Sequence, residues 1–161
     1  MDSTFRNWFY AGGLFALALG LWLAHLWSSE NQVRLHSQHL IAQVEKWNWA
    51  AIGDFITADY HDDWNDDRAL LLARLRIALR PFSSLTITAE RPQVRVEVPL
   101  AIWSAKIRIA GRGAEITPEM VERINRLTTP FELRWRKESW PPWDWKLVHV
   151  YNQSLDLPAD L

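Results

Sequence analysis

The hydrophobic repeat of this chain switches from a helical to a strand period at Pro81, and that switch restricts its fold class more than any other feature. Upstream, apolar residues recur every three to four positions. Over 34–58 they are Leu40, Val44, Trp47, Ala51 and Phe55, joined by Ile41, Ile52 and Ile56, a spacing that lines one side of a helix. Gly53 is where this helix is expected to break or bend. A second helix is predicted over 66–80, with Leu71, Leu72, Leu75 and Leu79 as its apolar stripe. Asn65, Asp66 and Asp67 suit its start and Pro81 its stop. Downstream the period is two. Leu85, Ile87 and Ala89 alternate with Thr86, Thr88 and Glu90, and Val94, Val96 and Val98 with Arg95 and Glu97. Trp103, Ala105, Ile107 and Ile109 alternate with Ser104, Lys106 and Arg108, a strand that Gly111-Arg112-Gly113 ends. A short helix over 118–127 follows, with Thr117 as N-cap, Pro118 as first residue and Val121, Ile124 and Leu127 facing inward. Phe131, Leu133 and Trp135 then alternate with Glu132, Arg134 and Arg136, and a turn at Trp140-Pro141-Pro142-Trp143 leads to a last strand over 145–152. Helices gathered ahead of strands specify α+β, with helices packed on one face of a mostly antiparallel sheet.

Ahead of this domain lies WFYAGGLFALALGLWLAHLW over 8–27, in which His25 is the one ionisable side chain. A bilayer core needs roughly 20 apolar residues as helix. Rings at both ends, Trp8, Phe9 and Tyr10, then Trp22 and Trp27, suit the headgroup level. A cleaved signal peptide is the rival reading, since Arg6 precedes the run. Its small-residue pattern, Ala16-Leu17-Ala18, falls mid-run and not after it. The run is therefore expected to be a single-pass transmembrane helix in the lipid bilayer. The amino terminus and Arg6 before it, against Arg34 after it, favour a cytoplasmic N-terminus. That gives a bacterial inner-membrane protein with its domain on the periplasmic side. The expected organisation is a tail over 1–7, the transmembrane helix over 8–27, a joint over 28–33, one domain over 34–153 and a tail over 154–161. About 130 residues beyond the anchor suffice for one core.

Composition narrows the chemistry. The 161 residues include no Cys, 18 Lys and Arg against 19 Asp and Glu, and 11 Trp. Absent Cys excludes disulfides, Cys-ligated zinc and Cys nucleophiles. A net charge of −1 argues against a globally basic nucleic-acid binder, and no nucleic-acid partner is expected. Charge is nonetheless uneven: positions 68–112 carry nine Lys and Arg against Glu90 and Glu97. On the sheet's polar face, Arg95, Lys106, Arg108, Arg134 and Arg136 could meet anionic headgroups or an acidic partner. Asp59, Asp62, Asp63, Asp66 and Asp67 crowd one stretch, yet lack the Gly and terminal Glu of a Ca²⁺ loop. They suit the approach to a helix N-terminus; no metal and no cofactor are expected.

Trp47 through Trp64, WNWAAIGDFITADYHDDW, resembles the opening helix of the nuclear transport factor 2-like, or SnoaL-like, superfamily, with Asp54 in a short break and Asp59-Tyr60 at the exit. Arg68 to Phe82 resembles its next helix, and the likeness spans about 34–153. It implies a cone whose helices and curved sheet enclose a pocket, in proteins that include small-molecule isomerases and dehydratases, ligand binders and membrane-anchored secretion subunits. Fold does not choose among them.

In ketosteroid-isomerase-like relatives, Tyr and Asp inside the cone carry acid–base chemistry, and Tyr60 sits at a comparable exit. His149 is the best-placed base, because strand parity puts it with Trp145, Leu147 and Tyr151, opposite Val148 and Val150. Candidate pocket residues are Tyr60, Trp64, Trp103, Trp135, Trp145 and His149. Glu90, Glu97, Glu132 and Glu138 fall on the polar face, which weakens an enzymatic reading. The expectation is a membrane-anchored, non-catalytic binding or assembly module, forming a homodimer or a membrane protein complex through the sheet or the anchor. Gly12, Gly13 and Gly20 would allow close helix approach there. The alternatives are a small-molecule enzyme of isomerase or dehydratase type using Tyr60 or His149, and an inner-membrane subunit of a secretion or conjugation complex.

Overall fold

The computed structural model describes residues 3–155, with the side chains of all of these except 3–12, 24 and 25. Five helices and four strands follow one another: α1 (Ser3–Leu26), α2 (Ser29–Glu45), α3 (Trp49–Phe55), α4 (Arg68–Leu79), β1 (Phe82–Glu97), β2 (Leu100–Gly113), α5 (Thr117–Asn125), β3 (Phe131–Lys137) and β4 (Trp145–Tyr151). The strands form one antiparallel sheet in sequence order. The fold is α+β, as the period switch predicts.

The expected transmembrane helix over 8–27 is not supported: no helix among the described residues is long and apolar enough to cross a membrane. Within that stretch the side chains of 8–12, 24 and 25 lie outside the described residues. The unbroken stretch of α1 with described side chains is Gly13–Leu23. At its end α1 meets α2 in a capped corner. Ser28 accepts from the Asn31 backbone N–H at 3.4 Å, and Gln32 Nε2 donates to the Leu26 carbonyl at 2.7 Å. The side chain of α2 thus satisfies a carbonyl that the end of α1 would leave open.

The apolar stripe over 34–58 is two helices. The break falls at Trp47, which takes φ 52°, and not at Gly53. Asn48 then caps α3 by accepting from the Ala51 N–H. Gly53 stays inside α3, and Arg68 Nη2 donates to its carbonyl at 2.7 Å.

The alternations over 85–89 and 94–97 belong to one strand, β1, interrupted by a register shift between Glu90 and Gln93 with Arg91 at φ 50°, and Val98 lies in the turn beyond it. Such bulges bend a strand, and the sheet curves around the helices. Its inner face presents Ala101, Trp103, Ala105, Leu133, Trp135, Trp145 and Leu147 to Val33 and Leu40 of α2, to Ile52 of α3, and to Ile56 and Tyr60 beyond it. The short helix begins at Thr117 itself rather than being capped by it. The Thr117 hydroxyl instead donates to the Pro81 carbonyl at 3.3 Å. Where β3 stops pairing with β2, Asn125 of α5 takes over the edge. It accepts from the Ile109 N–H at 2.8 Å and donates to the Ile109 carbonyl at 2.9 Å. An edge that could recruit a foreign strand is thereby closed.

Candidate functional site

The interior expected to be a pocket is occupied by side chains. Trp103, Trp135 and Trp145 are 1, 0 and 1% exposed. Trp135 stacks edge-on with His36, ring centroids 5.8 Å apart, and with Phe55 at 6.3 Å. His36 also meets Phe55 edge-on at 5.9 Å. Its Nδ1 lies 2.8 Å from the Gln32 carbonyl, and burial lowers its pKa below the usual 6.5. Trp145 Nε1 donates to the Pro142 carbonyl at 3.0 Å. The indole N–H groups of Trp103 and Trp135 have no hydrogen-bond partner among the described residues.

His149 does not share the face of Trp145 and Leu147. Arg134 pairs with His149 but Trp135 pairs with Leu147, so Val148 is an extra residue in β4. One inserted residue reverses the alternation beyond it. Val150 consequently packs against the core. The His149 side chain, 13% exposed, lies on the other face with Nε2 3.2 Å from Asp63 Oδ1.

The segment after α3 explains how Asp63 reaches that face. Ile56 bridges Leu147, and the Thr57 N–H donates to the Leu147 carbonyl at 3.0 Å, covering the free edge of β4. The chain then passes over the edge. Asp59 accepts from Arg136 Nη2 at 2.9 Å and Nη1 at 3.1 Å, while Arg136 Nε donates to Glu138 at 2.8 Å. The Arg136 guanidinium and the Thr57 hydroxyl hold Asp59 at a pKa of about 2.

Each acid of the crowded stretch therefore has its own task, and they do not converge on one point. Asp62, 4% exposed, accepts from the Tyr60 hydroxyl at 3.0 Å, the Trp64 N–H at 3.0 Å and the Asp66 N–H at 2.9 Å, closing the loop around its carboxylate. Burial and this carboxylate push the Tyr60 phenol above its ordinary range. Asp66, buried beside Arg74 at 3.4 Å, has its pKa raised by burial against the pull of that guanidinium. Asp67 caps α4 by accepting from the Leu70 N–H at 2.8 Å, the helix-start role the sequence suggests.

Of the six candidate pocket residues, the structure brings Trp103, Trp135, Trp145 and Tyr60 into one core; Trp64 is half-buried in the loop and His149 lies on the far face. Sequence reasoning missed His36, although it continues the helical stripe one turn before Leu40. It also missed the burial of Asp62 and Asp66, which nothing in the acidic stretch marks, since Asp59, Asp63 and Asp67 share their spacing of four and are exposed. Open space lies elsewhere. One groove of about 440 Å³ is lined by Ala58, Asp67, Arg68, Ala69 and Leu72. Another of about 370 Å³ has Trp47, Trp49, Arg76, Leu79, Arg80, Phe82 and Ser83 in its lining.

No protein-family profile matches the chain, and no curated protein matches it. Solved structures do. A candidate scytalone dehydratase from Novosphingobium aromaticivorans superposes with a TM-score of 0.58 at 9% identity, over 74% of this chain and 79% of that one. A nuclear transport factor 2-like protein of unknown function from Pseudomonas putida gives 0.56 at 12% identity, over 75% and 82%. A Bdellovibrio bacteriovorus protein gives 0.57 at 5% identity; the match covers 74% of this chain but 39% of that protein. Identities this low speak to architecture alone. The helices wrapped by a curved four-stranded sheet have the nuclear transport factor 2-like fold.

Proposed function

We propose that this chain is a binding or assembly module held at a membrane, with no catalysis inside its cone. The observation that carries the reading is the interior filled by Trp103, Trp135 and Trp145, which leaves recognition to the outer surface. The placement at a membrane, with the domain on the periplasmic side of a bacterial inner membrane, draws on α1. Leu14, Phe15, Leu17, Leu21 and Trp22 are all more than half exposed there. No Asp, Glu, Lys or Arg occurs over 8–28. Such a helix suits lipid or a bundle of helices. The experiment is alkaline extraction of native membranes followed by native electrophoresis in mild detergent. The reading expects the chain in the washed membrane and in a species larger than the monomer, as a homodimer or as a subunit of a secretion or conjugation complex. Release by alkali sinks the membrane placement, and a lone monomer sinks the assembly role.

One observation favours a second reading, a small-molecule enzyme of dehydratase type: Asp63 holds the Nε2 of His149 at 3.2 Å, a carboxylate–imidazole pair, with the other ring nitrogen, Nδ1, buried. The name of the Novosphingobium neighbour points the same way. His149→Ala would then abolish turnover without unfolding the domain.

A further inference from the structure

We propose that the groove between the end of α2 and the end of α4 docks an acidic segment of a partner protein, with an apolar or aromatic anchor residue set between its tryptophans. The inference rests on the assembly reading above and names the surface that reading leaves open. The groove measures about 370 Å³, and its lining includes Trp47, Trp49, Arg76 and Arg80 but no carboxylate. Arg76 and Arg80 stand one turn apart at the end of α4, and neither is in an ion pair among the described residues. The Arg76 guanidinium lies 5.4 Å over the Trp49 ring. Stacking of this kind engages the flat face of a guanidinium, and its N–H edge stays available to a carboxylate. Arginine and tryptophan are also the residues that dominate binding hot spots. The charge of this surface selects an acidic partner.

A second, independent feature is the backbone of Trp47. It occupies the left-handed position that terminates α2, at φ 52°, where glycine is the usual choice. A bulky side chain there is strained, and strain of this sort gathers at binding sites. The chain gives up local stability at this position and gains an indole on the groove.

The test uses the full chain in non-ionic detergent and three labelled synthetic peptides, followed by fluorescence anisotropy. One peptide is Glu-rich with a central Phe, one is Glu-rich with Ala in place of Phe, and one is Lys-rich with the Phe. The first should bind more tightly than the other two. Trp47→Gly and Arg80→Glu should each weaken that binding at least about tenfold, while Arg95→Glu, on the outer face of the sheet, should not. Trp47→Gly should keep or raise the melting temperature, because glycine suits the left-handed backbone, so its loss of binding is not loss of folding. Binding no better than that of the Lys-rich peptide overturns the proposal, as does binding unchanged in Trp47→Gly and Arg80→Glu. Equal loss in Arg95→Glu also overturns it, moving recognition to the sheet face. None of these results alters the size of the native membrane species, so failure of the groove is distinct from failure of the assembly reading.

Discussion

Replacing each of two buried tryptophans by phenylalanine should have unequal consequences. Trp135 and Trp145 are both essentially inaccessible, on neighbouring strands of the inner face. Trp→Phe removes a similar volume from each, so the packing loss largely cancels in a comparison of the two. The indole N–H is what differs. In Trp145 it donates to the Pro142 carbonyl at 3.0 Å, and losing that bond costs about 0.5–1.5 kcal/mol. In Trp135 it has no partner among the described residues, and deleting a buried unsatisfied donor recovers about 1–3 kcal/mol. Trp145→Phe should therefore be the less stable variant by roughly 1.5–4.5 kcal/mol. The gap in melting temperature should be on the order of 5 °C or more. Urea titrations of both variants, read by far-ultraviolet circular dichroism, measure the difference directly, and unchanged m-values would show that the denatured state is not its source. Equal losses in the two variants would refute the reasoning, because the Trp135 N–H would then be as well satisfied as that of Trp145. Trp103→Phe should follow Trp135→Phe, since its indole is likewise unpaired.

Three further outcomes are expected. His36 has a pKa lowered below 6.5 by burial, so the folded state binds fewer protons than the unfolded chain; its stability is complete above 6.5 and lost as pH falls through the lowered value. His36→Phe should flatten that slope in melting temperatures recorded across this range. Asp59 is held at about 2 against an ordinary 3.8, so its contribution is present above 3.8 and disappears as pH falls towards 2. Acid titration of Asp59→Asn should show a shallower loss over this window than the parent, and an identical slope would remove the Arg136 pair from the account. Asp67→Ala removes the α4 cap and should cost about 1 kcal/mol in urea unfolding, with Asp67→Asn restoring most of it.

Much of the architecture was legible because it depends on burial alone. The stripe Leu71, Leu72, Leu75 and Leu79 gave α4, and the alternation of Trp103 and Ala105 gave the inner face of β2, since a buried side must be apolar whatever its neighbours are. The misreadings have a different origin. Gly53 looked like the helix breaker because glycine usually is one, but the left-handed residue is Trp47, and nothing in hydropathy marks a tryptophan for that backbone. Likewise, the acidic stretch is consistent with a helix start or a cation loop. Only the closure of the chain around Asp62 shows that one carboxylate organises the loop while Asp59 and Asp63 reach two neighbouring strands, β3 and β4.

His149 shows what such reasoning lacks. Strand parity is valid along an unbroken ladder, and a bulge is invisible in the alternation of a strand where both faces carry apolar residues. Val148 and Val150 are as apolar as Leu147, so the sequence of β4 fits either register equally well. The extra residue at Val148 exchanges the positions of His149 and Val150, and two consequences follow together. The core receives a valine where an ionisable ring would have needed a partner in a dry interior. The displaced imidazole instead reaches Asp63 and ties the 57–67 segment across the edge of β4. The same pair that suggests a general base is therefore also a latch on the element that covers a sheet edge. Loss of activity in His149→Ala would implicate the ring in chemistry only if the Thr57 amide, bonded to Leu147, kept its protection from hydrogen exchange.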